Sequence, residues 1–300
     1  MARPSIVFFG SGPVAAESLR LLAHDFTIEA IITKPSTLTE MKKAAPEAPA
    51  YTTSSKQELD ELIEKNDFTS QLGVLIDFGI IVSNKTIQSF SKGIINSHFS
   101  LLPQWRGADP ISFSILSGQP ETGVSLMLLV EAMDEGPLLA QSAYELTSTI
   151  TGSQLTADLV ELSYKSLQVI IPLWVESSVE ALPQEQVTIA RDKTATYSRK
   201  LTKLDGYIDW SKSADQIQRE IRAFDIWPKS KTTLGQIDVV MTASEVSDRT
   251  DKKPGDIIID GKDLYIVCGT GSLKIISLKP VGKKEMPASA FLAGYQSRIV

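Results

Sequence analysis

Cysteine and histidine are the scarcest chemistry-bearing residues of this chain: one cysteine, Cys268, and two histidines, His24 and His98, among 300 residues. A single thiol excludes an internal disulfide and any multi-cysteine metal site, so a reducing, cytoplasmic setting is expected. Two histidines far apart in sequence give zinc no ligand set, and no metal is expected. No apolar run approaches the ~18 residues that a membrane helix needs. The N-terminus also lacks a basic stretch followed by a signal-type apolar core, so no membrane partner is expected. The 36 Asp and Glu against 30 Lys and Arg are the wrong balance for a general nucleic-acid binder. The charge is unevenly spread, with 23 acidic and 16 basic residues over 1–204 but 13 and 14 over 205–300. A C-terminal part near neutrality can still present a basic stripe to phosphates.

The length suggests two domains. Ser5-Ile6-Val7-Phe8-Phe9 followed by Gly10-Ser11-Gly12 reads as a buried strand, a glycine turn and a helix to about Ala23. Ile28 to Thr33 reads as a second strand, Ser54 to Lys65 as a helix and Leu72 to Asp77 as a third strand. This alternation predicts a Rossmann-like α/β domain over 1–183, a mostly parallel sheet with helices on both faces. Leu155, Leu159, Leu162, Leu167 and Ile170 share one face of a helix predicted over Ser153 to Val179. Residues 184–203 read as a linker. Over 204–300 a helix opening at Ser213 precedes short strands at Ile237–Met241, Asp256–Ile259, Leu264–Val267 and Leu273–Leu278, separated by glycines. Regular short strands of this kind suggest a small OB-like β-barrel.

The chemistry concentrates at Asn96-Ser97-His98, which follows the apolar Gly93-Ile94-Ile95. Strand side chains alternate faces, so Asn96 and His98 project to one side, where an amide donor and an imidazole can converge on one carbonyl oxygen. That is minimal equipment for acyl transfer. Pro103 and Gly107 mark a turn, which puts the pair at a strand's C-terminal end, where open α/β sheets bind ligands. Taken alone, the pair could equally cap a strand. Asp134, on a loop in Met133-Asp134-Glu135-Gly136-Pro137, could orient an imidazole or relay a proton, and could equally be a solvated loop residue. Gly10-x-Gly12-x-x-Ala15 also fits a dinucleotide fingerprint, but Lys34-Pro35 stands where the ribose-binding acid belongs.

Together, Asn-x-His, Ser100-Leu101-Leu102-Pro103-x-x-Arg106-Gly107 and the later Asp134-x-Gly136 closely resemble the 10-formyltetrahydrofolate-dependent formyltransferases. The resemblance continues through Tyr197-Ser198-Arg199-Lys200-Leu201, Ile208-Asp209-Trp210-Ser211, Arg222-Ala223-Phe224 with Trp227-Pro228, and Pro280-Val281-Gly282-Lys283-Lys284. These segments narrow it to the methionyl-tRNA formyltransferase family. It implies Asn96, His98 and Asp134 as catalytic residues and 10-formyltetrahydrofolate as formyl donor, with no metal. It implies a folate site drawn from Asp77, Phe78, Gly79, Ile80, Ser100, Leu101, Leu102, Pro103, Glu131 and Gly136, and assigns Arg106 to shaping the loop. It gives Arg199, Lys200, Lys283 and Lys284 as phosphate contacts to methionyl-initiator tRNA, alongside a plainer reading of each as a solvated surface charge. A monomer is expected.

Three positions depart from the family pattern. The loop after the second strand, glycine-rich and basic in the family, is here Lys34 to Lys43 with neither glycine nor arginine, leaving Lys42 and Lys43 to supply charge. Phe99 stands where a small residue is usual, and Asp77-Phe78-Gly79 where Ala-Tyr-Gly is usual. A formyltransferase of smaller amines such as sugar nucleotides or glycinamide ribonucleotide, a formylfolate hydrolase, and a folate- or tRNA-binding protein without turnover are the alternatives.

Overall fold

The computed structural model describes residues 3–187, 194–250 and 252–299. In chain order the elements are β1 (Ser5–Gly10), α1 (Pro13–Leu22), β2 (Thr27–Thr33), α2 (Leu38–Ala44), β3 (Ala50–Thr52), α3 (Lys56–Lys65), β4 (Gly73–Ile76), α4 (Asn84–Gln88), β5 (Ile94–His98), β6 (Arg106–Gly107), α5 (Pro110–Ser117), β7 (Glu121–Leu128), β8 (Leu138–Glu145), α6 (Gly152–Val175), β9 (Tyr197–Ser198), α7 (Ala214–Ala223), β10 (Ser230–Leu234), β11 (Ile237–Ser247), β12 (Ile257–Asp260), β13 (Asp263–Val267), β14 (Ser272–Pro280), β15 (Met286–Pro287) and α8 (Ala288–Tyr295). They form two compact units, 1–110 with 121–145 and 156–198, and 111–120 with 146–155 and 199–300. Residues 188–193 of the expected linker lie outside the described residues. No helix among the described residues is long and apolar enough to cross a membrane.

The first unit is built on a seven-stranded sheet in the order β3-β2-β1-β4-β5-β7-β8. Ile6 to Phe9 are fully buried, as a strand covered on both faces must be. The pairs from β3 to β5 are parallel, whereas β5-β7 and β7-β8 are antiparallel. The strand order therefore reverses between β1 and β4, and at such a switch point the crossovers diverge and leave a crevice beyond the strands' C-terminal ends. The turn after β1 and the turn after β4 meet there, Ser11 N–H donating to the Asp77 carbonyl at 3.0 Å. Gly10 is required by packing: a Cβ there would lie 2.5 Å from Phe8, 2.7 Å from Ala15 and 2.8 Å from the Ile76 carbonyl. On one side of the sheet Phe9 meets Phe78 and Phe90 edge-on, each pair of rings 5.8 Å apart, a geometry that matches ring edge to ring face.

One local expectation changes. Leu38–Ala44 is a helix, so Lys42 and Lys43 sit exposed on its last turn rather than on a loop. With no glycine to interrupt it, the segment winds and buries Met41 completely. The expected strand beneath Asn96 and His98 forms, with the pair at its C-terminal end, and β7 pairs with it at Asn96–Met127, Ser97–Leu126 and His98–Ser125.

The second unit carries a six-stranded antiparallel sheet, β10-β11-β14-β13-β12 with β15 on β14. Ile217 and Ile221 of α7 and Phe291 and Leu292 of α8 join Val239, Met241, Leu264, Ile266, Leu273 and Leu278 in one core. β11 runs well past Met241, because β14 continues to pair with polar residues to Ser247. Ser213 caps α7 by accepting the Gln216 N–H while Gln216 reaches back, a reciprocal arrangement that satisfies two orphan donors. Phe224 is buried, Trp210 packs against the core, and Trp227 is 46% exposed.

Candidate active site and its relatives

Asn96 and His98 stand on β5 at the crevice side of the switch point, 8% and 7% exposed. The amide of Asn96 makes no hydrogen bond to another described residue. Its polar atoms keep some contact with solvent and are open to a ligand. His98 is held from behind, its Nε2 2.9 Å from the Trp105 carbonyl. A carbonyl only accepts, so Nε2 carries the hydrogen and Nδ1 is the nitrogen left for chemistry.

Nδ1 faces Asp134, with Oδ1 3.8 Å away. Folding thus brings together two residues 36 positions apart. Asp134 sits at φ 52°, in the left-handed region that aspartate tolerates better than most residues. Its Oδ2 accepts the Gly107 N–H at 2.6 Å. Gly107 has φ 102°, and a Cβ there would lie 2.5 Å from the Ser198 carbonyl, so only glycine can present that N–H.

Gln184 secures the same loop. Its Nε2 donates to the carbonyls of Asp134 at 2.7 Å and Gly136 at 3.1 Å, while its Oε1 accepts from Arg106 Nη2 at 2.8 Å. Arg106 also binds Glu135 at 2.8 Å. Arg106 is therefore committed to the loop. Nothing local in the sequence marks Gln184, since its role depends on a chain segment about 50 residues from Asp134 folding back.

The expected folate residues divide. Asp77 and Gly79 have φ 48° and 65°, an irregular turn whose Asp77 carbonyl accepts the Ser11 N–H. Phe78 and Ile80 instead turn their side chains into the hydrophobic cluster around Phe9. Ser100 Oγ donates to Gln104 O at 2.6 Å, and Leu101, Leu102 and Pro103 are buried. Ser125 Oγ bonds Ser100 O and Leu102 N, and Gln141 bonds Leu102 O. These hydrogen bonds hold the loop. Phe99 is buried as well. Glu131 accepts from Asn84 at 2.9 Å with Lys56 3.8 Å away, which ties the Glu131–Gly136 loop to α3 and α4.

The sequence did not single out the charges around Asp77. Protein crowding pushes its carboxyl up to about 6, against the opposing pull of Lys34 and with help from Asp109. Of the expected phosphate contacts, Arg199 is taken: both its terminal nitrogens bind Asp205, whose carboxyl this holds well below the usual range. Lys200 is exposed, as are Lys283 and Lys284 on the turn after β14. No group of three His, Cys, Asp or Glu suited to a metal occurs among the described residues.

Comparison with known proteins agrees with this architecture. Residues 7–171 match the formyl transferase family and residues 200–296 the formyl transferase C-terminal domain. The methionyl-tRNA formyltransferase of Methylococcus capsulatus is 32% identical over 302 residues, covering 96% of each chain. Among solved structures, the sugar 3N-formyltransferase WlaRD superposes with a TM-score of 0.68 at 17% identity, over 95% of this chain and all of that one. HypX from Aquifex aeolicus gives 0.66 at 12% identity, this chain spanning 49% of its length. Fold, paired domains and near-complete alignment together establish that this chain belongs to the methionyl-tRNA formyltransferases of the formyl transferase family.

Proposed function

We propose that this protein transfers the formyl group of 10-formyltetrahydrofolate to the α-amino group of methionine esterified to initiator tRNA, acting as a cytoplasmic monomer. The observation that carries the chemistry is the facing of His98 Nδ1 and Asp134 Oδ1 at 3.8 Å beside an unpartnered Asn96 amide. The near-full-length relatedness to methionyl-tRNA formyltransferases carries the substrate. The Asp77 to Ile80 turn and the Glu131 to Gly136 loop hold the pterin through backbone groups.

The amine lone pair attacks the formyl carbon, and the carbonyl electrons move onto oxygen. Asn96 donates to that oxygen, and a protonated His98 offers Nδ1–H to it. The amine proton leaves by way of Asp134, directly or through a water. When the oxygen electrons return, the bond to the folate nitrogen breaks and that nitrogen takes the proton that the amine gave up. One preorganised donor of this kind contributes about 100- to 1000-fold in rate. Low exposure of Asn96 and His98 strengthens each interaction by excluding water. The deciding experiment offers the protein formylfolate with initiator or elongator methionyl-tRNA and counts formyl-methionine. Transfer to neither, with transfer to a small amine instead, would overturn the reading.

A further inference from the structure

Within the second unit, a cleft of about 250 Å³ lies beside α7, lined by none of the residues of the proposed chemistry. Arg219 and Arg222 line it, three positions apart and hence on one face of α7. Both guanidiniums are anchored by neutral acceptors. Arg222 Nη1 donates to the Ile150 carbonyl at 2.7 Å and its Nε to Gln218 at 2.9 Å. Arg219 Nε donates to the Leu116 carbonyl at 3.1 Å. A guanidinium has five N–H donors, so Arg222 keeps three and Arg219 four.

No carboxylate among the described residues forms an ion pair with either arginine. The contrast with Arg199, held by Asp205, is direct. Asp215 lines the cleft but does not pair with them, which leaves the lining net positive. The two cations also oppose each other: burial first, and then Arg219, pull the Arg222 guanidinium below its usual value. Like charges fixed side by side are costly unless an anion joins them. These anchors hold both guanidiniums on the cleft lining before anything binds, which cuts the ordering cost of binding.

We propose that Arg219 and Arg222, with Ser148 and Gln119 on the same lining, form a phosphate-binding site in the second unit. Paired guanidinium forks match the several oxygens of a phosphate better than lysine point charges do. The phosphate comes either from the tRNA backbone, a source that rests on the transfer activity proposed above, or from a small phosphorylated compound.

Two variants of the full chain test this. Arg219→Gln removes one fork. Ser148→Asp, at an exposed position, leaves both arginines and their anchors in place and puts a carboxylate in the cleft. In the first arm inorganic phosphate is titrated while arginine side-chain N–H resonances are followed. The wild-type Arg219 and Arg222 signals should shift, and those of both variants should not. In the second arm initiator tRNA binding is measured against salt. Each variant should weaken it about 5- to 20-fold, and the slope of log K against log salt should fall by about 0.9, one phosphate contact. A phosphate response without a tRNA effect assigns the site to a small phosphorylated compound, and a tRNA effect alone assigns it to the tRNA backbone. No change in either arm, with both variants folded, overturns the proposal. A wild type that binds phosphate here yet formylates no tRNA would instead sink the transfer reading and leave the site standing.

Discussion

Asp134 divides its carboxylate between two partners, Oδ2 accepting the Gly107 N–H at 2.6 Å while Oδ1 stands 3.8 Å from His98 Nδ1. The shorter contact fixes the carboxylate. The longer leaves His98 Nδ1 free to engage a substrate oxygen or to close on Asp134 when it carries a proton. A base that is oriented but not consumed by its partner suits a step in which charge appears only transiently.

Asn96→Ala and His98→Ala should each lower single-turnover formyl transfer by about 100-fold or more while melting temperature changes little. Rates near the parent in both would remove the pair from the chemistry. Fluorescence titration with folate, run in parallel, separates a lost reaction step from lost binding.

Gly107→Ala should fail by geometry. The added methyl would meet the Ser198 carbonyl at 2.5 Å, and φ 102° is strained for alanine. The clash must displace the N–H that holds Asp134. We expect a destabilisation above ~1 kcal/mol in chemical unfolding and a loss of transfer comparable to that of Asp134→Ala. A stable, active Gly107→Ala would show that the Asp134 anchor is dispensable.

Gln184→Ala cuts two bonds to the Asp134 loop and one to Arg106. Buried carbonyls left unpaired cost about 1–3 kcal/mol. Because Gln184 positions Asp134 and touches no reacting atom, kcat should fall about tenfold with KM for folate nearly unchanged. Gln184→Glu should not rescue, since a carboxylate cannot donate to the two carbonyls.

Asp77 sets a pH dependence whose sign can be worked out. Its folded value of about 6 lies above the usual carboxylate value of 3.8, so the fold favours the protonated form. That contribution is present below about pH 4 and is lost as pH rises through 6. Asp77→Asn should therefore melt higher than the parent at pH 7.5, and the gap should close below pH 4. A constant gap across that range would mean that ionisation of Asp77 is not its source.

For tRNA, replacing Lys42 and Lys43 of α2 by alanine should reduce the salt slope of binding by about two phosphate contacts, without altering folate affinity. If α2 is disengaged, the Lys283→Ala, Lys284→Ala pair will carry that loss instead. Indifference to both pairs at moderate salt would favour a smaller amine as substrate.

Sequence alone determined what short-range physics encodes. The apolar run Ile6–Phe9 had to be a doubly covered strand, the Ser54-Ser55 pair and Ser213 had to lie at helix starts, and the period-two spacing of Asn96 and His98 had to place them on one face. What sequence could not decide were relationships made by distant segments, because register and loop closure depend on contacts that no local pattern records. Only the folded loop brought Asp134 to Nδ1, where Gly107 and Gln184, both distant in sequence, hold it. Arg199 reads in sequence as a free cation until Asp205 closes on it, whereas nothing in sequence pairs Arg219 with Arg222 until the fold puts both on the lining of one cleft. Charge is written in the sequence, but whether a charge is spent or available is settled by what the tertiary fold places beside it.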